Sequence, residues 1–151
     1  MTSQTTAPSL GAAYALKCRE CDAITELDAS YACVECFGPL EVAYAPAQVT
    51  RADIEAGPTS MWRYEALLPV VPGAGGRPGL QPGLTRLVRA DNLAAALGAR
   101  AVWVKDDSGN PTHSFKDRVV AVALENARRL GYDTIACAST GNLANAVAAA
   151  A

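Results

Sequence analysis

Two Cys-x-x-Cys pairs, Cys18/Cys21 and Cys33/Cys36, stand eleven residues apart and constrain the early part of this chain more than any other feature. Four thiolates at this spacing can close one tetrahedral structural metal site, with zinc as the expected ion. Two redox pairs, or a metal-free relic held by packing, are the other readings of the same residues. A catalytic metal is disfavoured, because four thiolates leave no open coordination position. Gly38 is expected to supply the tight turn behind the second pair. The fifth cysteine, Cys137, lies alone in an apolar run and is expected to be a small buried side chain. Met1 to Leu16 has neither a basic start nor a continuous apolar stretch, so it is not read as a secretory signal. Paired cysteines without an export signal point to metal before disulfides and to a cytoplasmic protein.

The 151 residues suffice for one domain, or one domain and a small module, and half of them are apolar. A net charge of −2 gives no electrostatic reason to expect nucleic acid or an anionic membrane. No apolar run approaches the length of a membrane span. Four segments follow: a flexible tail over 1–13, a zinc-ribbon-like four-cysteine module over 14–45, an arm or linker over 46–83, and an α/β segment over 84–151. Within the arm, Thr50-x-x-Asp53 is a capping box for a short helix stopped by Gly57-Pro58. Met61 to Leu68 suggests another short helix, and Val71 to Pro82 reads as loop. Trp62 and Trp103 are expected in the core.

From Thr85 onward the pattern alternates helix and strand. Asp91 or Asn92 caps a helix with Leu93 and Leu97 on one face and Gly98 at its end. Ala101 to Val104 reads as a strand. Ser114 is the expected cap of a long helix, with Asp117 completing a capping-box-like pair. Val120, Ala123, Leu124, Ala127 and Leu130 form its buried face. Arg118, Glu125 and Arg129 fall on the other side, and Gly131 ends the helix. Thr134 to Ala138 reads as a second strand, and Ser139-Thr140-Gly141-Asn142 leads into a third helix. This rhythm predicts an α/β fold, a parallel sheet with crossover helices. Ligands of such sheets bind beyond the carboxyl ends of the strands, where Lys116 and the Ser139 loop both fall.

Lys116 lies within Asn110-Pro111-Thr112-His113-Ser114-Phe115-Lys116-Asp117-Arg118, a lysine amine at a helix start just after a strand. An amine so placed can form a Schiff base with an aldehyde cofactor. Phe115 either packs near a cofactor ring or fills the core. Ser139 to Asn142 offers hydroxyls, a glycine and an amide ahead of a helix, a pattern suited to anions, although alone it is an ordinary strand-to-helix turn. Lys105 ends the first strand and is either a phosphate contact or a salt-bridged surface lysine. His113 is expected to shape the pocket as a loop residue rather than to act as a base.

The lysine motif resembles that of the fold-type II pyridoxal-phosphate enzymes. With Cys36-Phe37-Gly38-Pro39-Leu40, Trp62-Arg63-Tyr64 and the Ser139 loop, the chain is most similar to the threonine synthase family. The resemblance implies conversion of O-phosphohomoserine and water to threonine and phosphate. It implies pyridoxal phosphate as cofactor, held at Lys116 with Phe115 and Asn142 nearby, and Lys116 as the proton-moving group. It assigns Ser139, Thr140 and Asn142 to the substrate carboxylate and Lys105 to the substrate phosphate. Two positions depart from the family pattern: Leu143, where many relatives carry Thr or Ser, and Thr85-Arg86-Leu87, where relatives carry Thr-Pro-Leu. The family's Gly-rich phosphate loop is not among these residues. The chain therefore reads as the N-terminal, truncated part of such an enzyme, with little turnover expected of it alone and a homo-oligomer expected of the full-length form. Another fold-type II lyase, such as a threonine dehydratase, and a non-enzymatic zinc-ribbon fragment are the competing readings.

Overall fold

A computed structural model of the chain describes residues 11–46, 48–70 and 81–151. The tail expected over 1–13 lies almost wholly outside the described residues, as does most of the loop expected over Val71 to Pro82.

The cysteine pairs sit on a three-stranded antiparallel sheet of order β2-β1-β3, formed by β1 (Ala13–Cys18), β2 (Ile24–Thr25) and β3 (Leu40–Tyr44). Cys18 ends β1 opposite Leu40, so the sheet delivers the first cysteine to the turns that carry the other three. The arm follows. Helix α1 (Arg51–Ala56) has the full capping box: the Thr50 hydroxyl accepts from Asp53 N, and the Asp53 carboxylate accepts from Thr50 N. Gly57 closes the helix. A Cβ there would lie 2.6 Å from Arg63 Cβ, so only glycine allows the arm to fold back. Met61–Leu67 is helical as expected, but as a 3-10 run kinked at Tyr64.

The second half contains β4 (Leu87–Arg89), α2 (Asp91–Ala96), β5 (Trp103–Lys105), α3 (Lys116–Arg129) and α4 (Asn142–Ala150). Helix α3 is the centre. Ala121 joins Met61, Trp62 and Val70 of the arm in one cluster. Val120 joins Ala146 and Val147 of α4 in another, with Leu124, Ile135 and Cys137 packed against it. The helix ends in a Schellman motif: Tyr132 N donates to Ala127 O, Gly131 N donates to Arg128 O, and Gly131 adopts φ +81°.

Several expectations are corrected. The expected parallel sheet is not present among the described residues. The strand at Ala101 to Val104 is displaced to Trp103–Lys105 and pairs antiparallel with β4, Leu87 opposite Lys105. Thr134 to Ala138 forms no ladder. It keeps a strand's alternation, with Ile135 and Cys137 turned to the helices and Thr134, Ala136 and Ala138 exposed. Parallel strands are stable with both faces covered, and here helices cover only one. Cys137 is consequently half-buried rather than buried.

Helix α2 is capped by Ala90 without a side-chain bond, so neither Asp91 nor Asn92 is the cap. Its buried residue is Ala94, whereas Leu93 and Leu97 are exposed. Gly98 ends the helix at φ +62° as expected. On α3, Ala123 is exposed and Ala121 takes its place in the core, because the arm covers a second face of the helix. Arg118 and Arg129, expected on an outer face, reach protein partners instead. Trp62 is buried, but Trp103 is 55% exposed, with the Arg89 guanidinium 6.0 Å from its ring centre. Among the described residues, no helix is long and apolar enough to cross a membrane.

Candidate active site and cysteine cluster

The residues between β5 and α3 build a turn that fixes where the lysine helix begins. Asn110 is buried; its Oδ1 accepts from Gly83 N at 2.9 Å and its carbonyl accepts from His113 N. His113 takes the left-handed conformation, φ +60°, and its Nδ1 lies 2.8 Å from Ser108 O. It shapes the loop, as expected, and is exposed. Ser114 Oγ accepts from Lys116 N at 3.2 Å. Asp117 does not complete a box with Ser114. Its fully buried carboxylate accepts from Thr112 N at 2.8 Å and Thr112 Oγ1 at 2.6 Å, closing the turn around the lysine. Those two donors and the positive end of α3 compensate the buried charge.

Lys116 is therefore the first residue of α3, half-buried, with Nζ 4.7 Å from the Phe115 ring centre. Phe115 is 55% exposed, so it does not fill the core. The chain has three lysines. Lys17 pairs with Asp22 at 2.7 Å, and Lys105, exposed at the end of β5, donates to the Thr85 carbonyl. Among the described residues, no carboxylate pairs with Lys116 at the start of α3. An unpaired amine beside an aromatic face fits condensation with an aldehyde.

The Ser139 loop opens α4. Ser139 is half-buried and its Oγ accepts from Gly141 N at 3.3 Å, while Thr140 and Asn142 are exposed. Val120, in the second turn of α3, packs against Ala146 and Val147, in the second turn of α4. At the far end a cavity of about 320 Å³ is lined by Ala127 and Arg128 of α3 and by Ala150 and Ala151. The carboxyl ends of the two helices thus share one end of the pair. Lys116 and Asn142, the first residues of each, share the other.

A polar cluster behind the lysine was not singled out from the sequence. Arg118 holds Asp107 through two bonds, Nε to Oδ2 at 3.1 Å and Nη2 to Oδ1 at 2.8 Å. Thr85 Oγ1 donates to Asp107 Oδ1 at 2.6 Å and accepts from Arg118 Nη2 at 3.2 Å. The Arg118 guanidinium, with the Thr85 hydroxyl, holds the Asp107 carboxyl down at about 2. The available signal was Asp106-Asp107 after a strand and an arginine two residues after Lys116.

In the cysteine cluster all four Sγ atoms lie within 4.8 Å of one another. Cys18 and Cys36 are 3.5 Å apart, and Cys21 and Cys33 3.6 Å. A tetrahedron with Zn–S bonds of about 2.3 Å has S–S edges of roughly 3.8 Å, so the donor set fits zinc. Backbone N–H groups of Glu20 and Gly38 donate to Cys18 and Cys36. The Cys21 N–H is the main cause that lowers the Cys18 thiol to about 7. Cys36 receives the Gly38 N–H, which lowers it, but the neighbouring Cys21 and Cys18 thiols push it up to about 12. Gly38 acts by close approach rather than by turn geometry. A Cβ there would lie 2.9 Å from Cys18 Sγ, and the left-handed residues are Asp22 and Phe37, each directly after a second cysteine. Arg129 Nη2 donates to Leu27 O at 2.7 Å and so ties this module to the end of α3.

Residues 80–151 match the family described as pyridoxal-phosphate dependent enzyme. Across a longer span the chain is similar to threonine synthases. It is 41% identical to that of Methanosarcina acetivorans over 141 residues, covering 89% of this chain and 33% of the relative. It is 34% identical to that of Methanocaldococcus jannaschii over 137 residues, covering 88% of this chain and 34% of the relative. The chain thus spans about one third of the length of these relatives. A 2-amino-4-ketopentanoate thiolase beta subunit from Acetoanaerobium sticklandii is 45% identical over 58 residues, covering 38% of this chain and 12% of the relative. No solved structure matches the chain at a significant level.

Proposed function

We propose that this chain carries the cofactor lysine of a cytoplasmic threonine synthase, acting on O-phosphohomoserine and water to give threonine and phosphate. The carrying observation is Lys116, an amine with no carboxylate partner among the described residues, at the start of the helix in a segment that matches the pyridoxal-phosphate family. The long matches to threonine synthases favour this activity over that of the thiolase subunit, whose match covers far less of the chain.

Pyridoxal phosphate, when bound, supplies an electron sink for charge developing at the substrate α carbon. Lys116 Nζ would hold the cofactor aldehyde and, once the substrate amine has taken its place there, would be free to move protons at the α and adjacent carbons. Asn142 and Phe115 flank the cofactor in this reading. Ser139, Thr140 and Asn142 bind the substrate carboxylate at the start of α4. Lys105 takes the substrate phosphate, exchanging the Thr85 carbonyl for an anion. Cys18, Cys21, Cys33 and Cys36 hold a structural zinc. The division is a four-cysteine module over 14–45, an arm over 46–83 and the first part of the catalytic domain over 84–151.

The test is borohydride trapping after incubation with pyridoxal phosphate, read by peptide mass mapping. The label is expected on Lys116 ahead of Lys17 and Lys105, and Lys116→Ala should abolish the visible absorbance of the bound cofactor. Equal labelling of all three lysines would refute the assignment. Phosphate release from O-phosphohomoserine by the full-length enzyme, compared with release from other phosphorylated amino acids, tests the substrate.

A further inference from the structure

We infer that Arg118, Asp107 and Thr85 form a positioning unit that sets where Lys116 stands relative to the β4–β5 pair; this rests on the cofactor reading of Lys116. Arg118 is two residues beyond Lys116 in the first turn of α3. Asp107 follows β5 and Thr85 precedes β4, and because Leu87 lies opposite Lys105 in this antiparallel pair, the unit gathers both strands at one shared end and joins that end to the lysine helix. Its geometry is specific. Two guanidinium nitrogens meet two carboxylate oxygens at 3.1 and 2.8 Å, and the Thr85 hydroxyl completes the ring by donating to Asp107 and accepting from Arg118. A planar, bidentate pair fixes orientation as well as distance, which a single charge contact does not.

The unit is also boxed in. Arg118 and Asp107 side chains are only 29% and 25% exposed. A Cβ on Gly83 would lie 2.8 Å from Arg118 Nη1 and 2.8 Å from Met61 N. Gly83 itself donates to Asn110 Oδ1, at the opening of the lysine turn. Rotation of α3 about its axis would therefore break the bidentate pair and drive the guanidinium into the arm. Lys105 lies beside the same unit, its Nζ donating to the backbone carbonyl of Thr85. None of the unit's three members needs to touch cofactor or substrate to position Lys116.

The test uses the lysine-trapping readout with Lys17 as internal reference, since Lys17 lies in the cysteine module and pairs with Asp22. The probe is pyridoxal phosphate at low concentration with borohydride. Arg118→Lys and Asp107→Asn should lower the ratio of Lys116 to Lys17 labelling about tenfold, the scale expected when a reacting group is held out of position. Thr85→Val leaves both charges and the side-chain shape, so it guards against global unfolding; it should lower the ratio by a smaller factor. The charge-swapped pair Asp107→Arg with Arg118→Asp should recover part of the loss. Folding of each variant is followed by circular dichroism. Wild-type labelling ratios in folded Arg118→Lys and Thr85→Val chains would overturn the inference. An unsubstituted chain with no preference for Lys116 would overturn the cofactor reading beneath it.

Discussion

The charge of Asp107 gives a prediction with a defined pH window. Its carboxyl is held at about 2 instead of the ordinary 3.8, chiefly by the Arg118 hydrogen bonds and then by the Thr85 hydroxyl. At about 1.36 kcal/mol per pH unit, that difference corresponds to an upper value of about 2.4 kcal/mol in favour of the folded chain. The pair retains some solvent contact, with 25% and 29% of the two side chains exposed, so screening reduces the expected figure to about 1–2 kcal/mol. The folded value is depressed. The stabilisation is therefore fully present above pH 3.8 and lost as pH falls through about 2. Asp107→Asn preserves shape and removes the charge. Urea melts of both chains should differ by about 1–2 kcal/mol at pH 7, and the gap should close between about pH 4 and pH 2. Comparing the two chains at each pH cancels the titration of the other carboxylates. A gap that stays constant down to pH 2, or no gap at pH 7, would refute the reasoning.

Two further outcomes are expected. Chain purified without chelator should contain one zinc, lost in the Cys18→Ser, Cys33→Ser double variant with a fall in the melting temperature of the module, because a structural metal is coupled to folding; a folded, metal-free module with four reactive thiols would contradict this. Val120, 2% exposed at the contact between α3 and α4, should cost about 2 kcal/mol on replacement by alanine, from two lost carbons and the space they leave; a urea midpoint unchanged from the parent would show that the helix pair is not held there.

What the sequence determined by itself is local. Thr50 and Asp53 announce the α1 cap because both partners lie within one helical turn. Gly131 marks the end of α3 because the left-handed position it fills is expensive for other residues. The two cysteine pairs and the lysine motif carry their chemistry in fixed short spacing, so the thiol cluster and the helix start at Lys116 were both legible. Tertiary structure decided the rest. Asp117 was expected to cap with Ser114 but turns back to Thr112, since two donors there compensate a buried charge better than one. Thr85 and Arg118 are thirty-three residues apart, and no periodicity connects them. Thr134 to Ala138 has a strand's alternation, yet alternation specifies only which side is apolar. Whether a ladder forms depends on a neighbouring backbone within reach that offers N–H and C=O groups, and among the described residues no strand pairs with this segment.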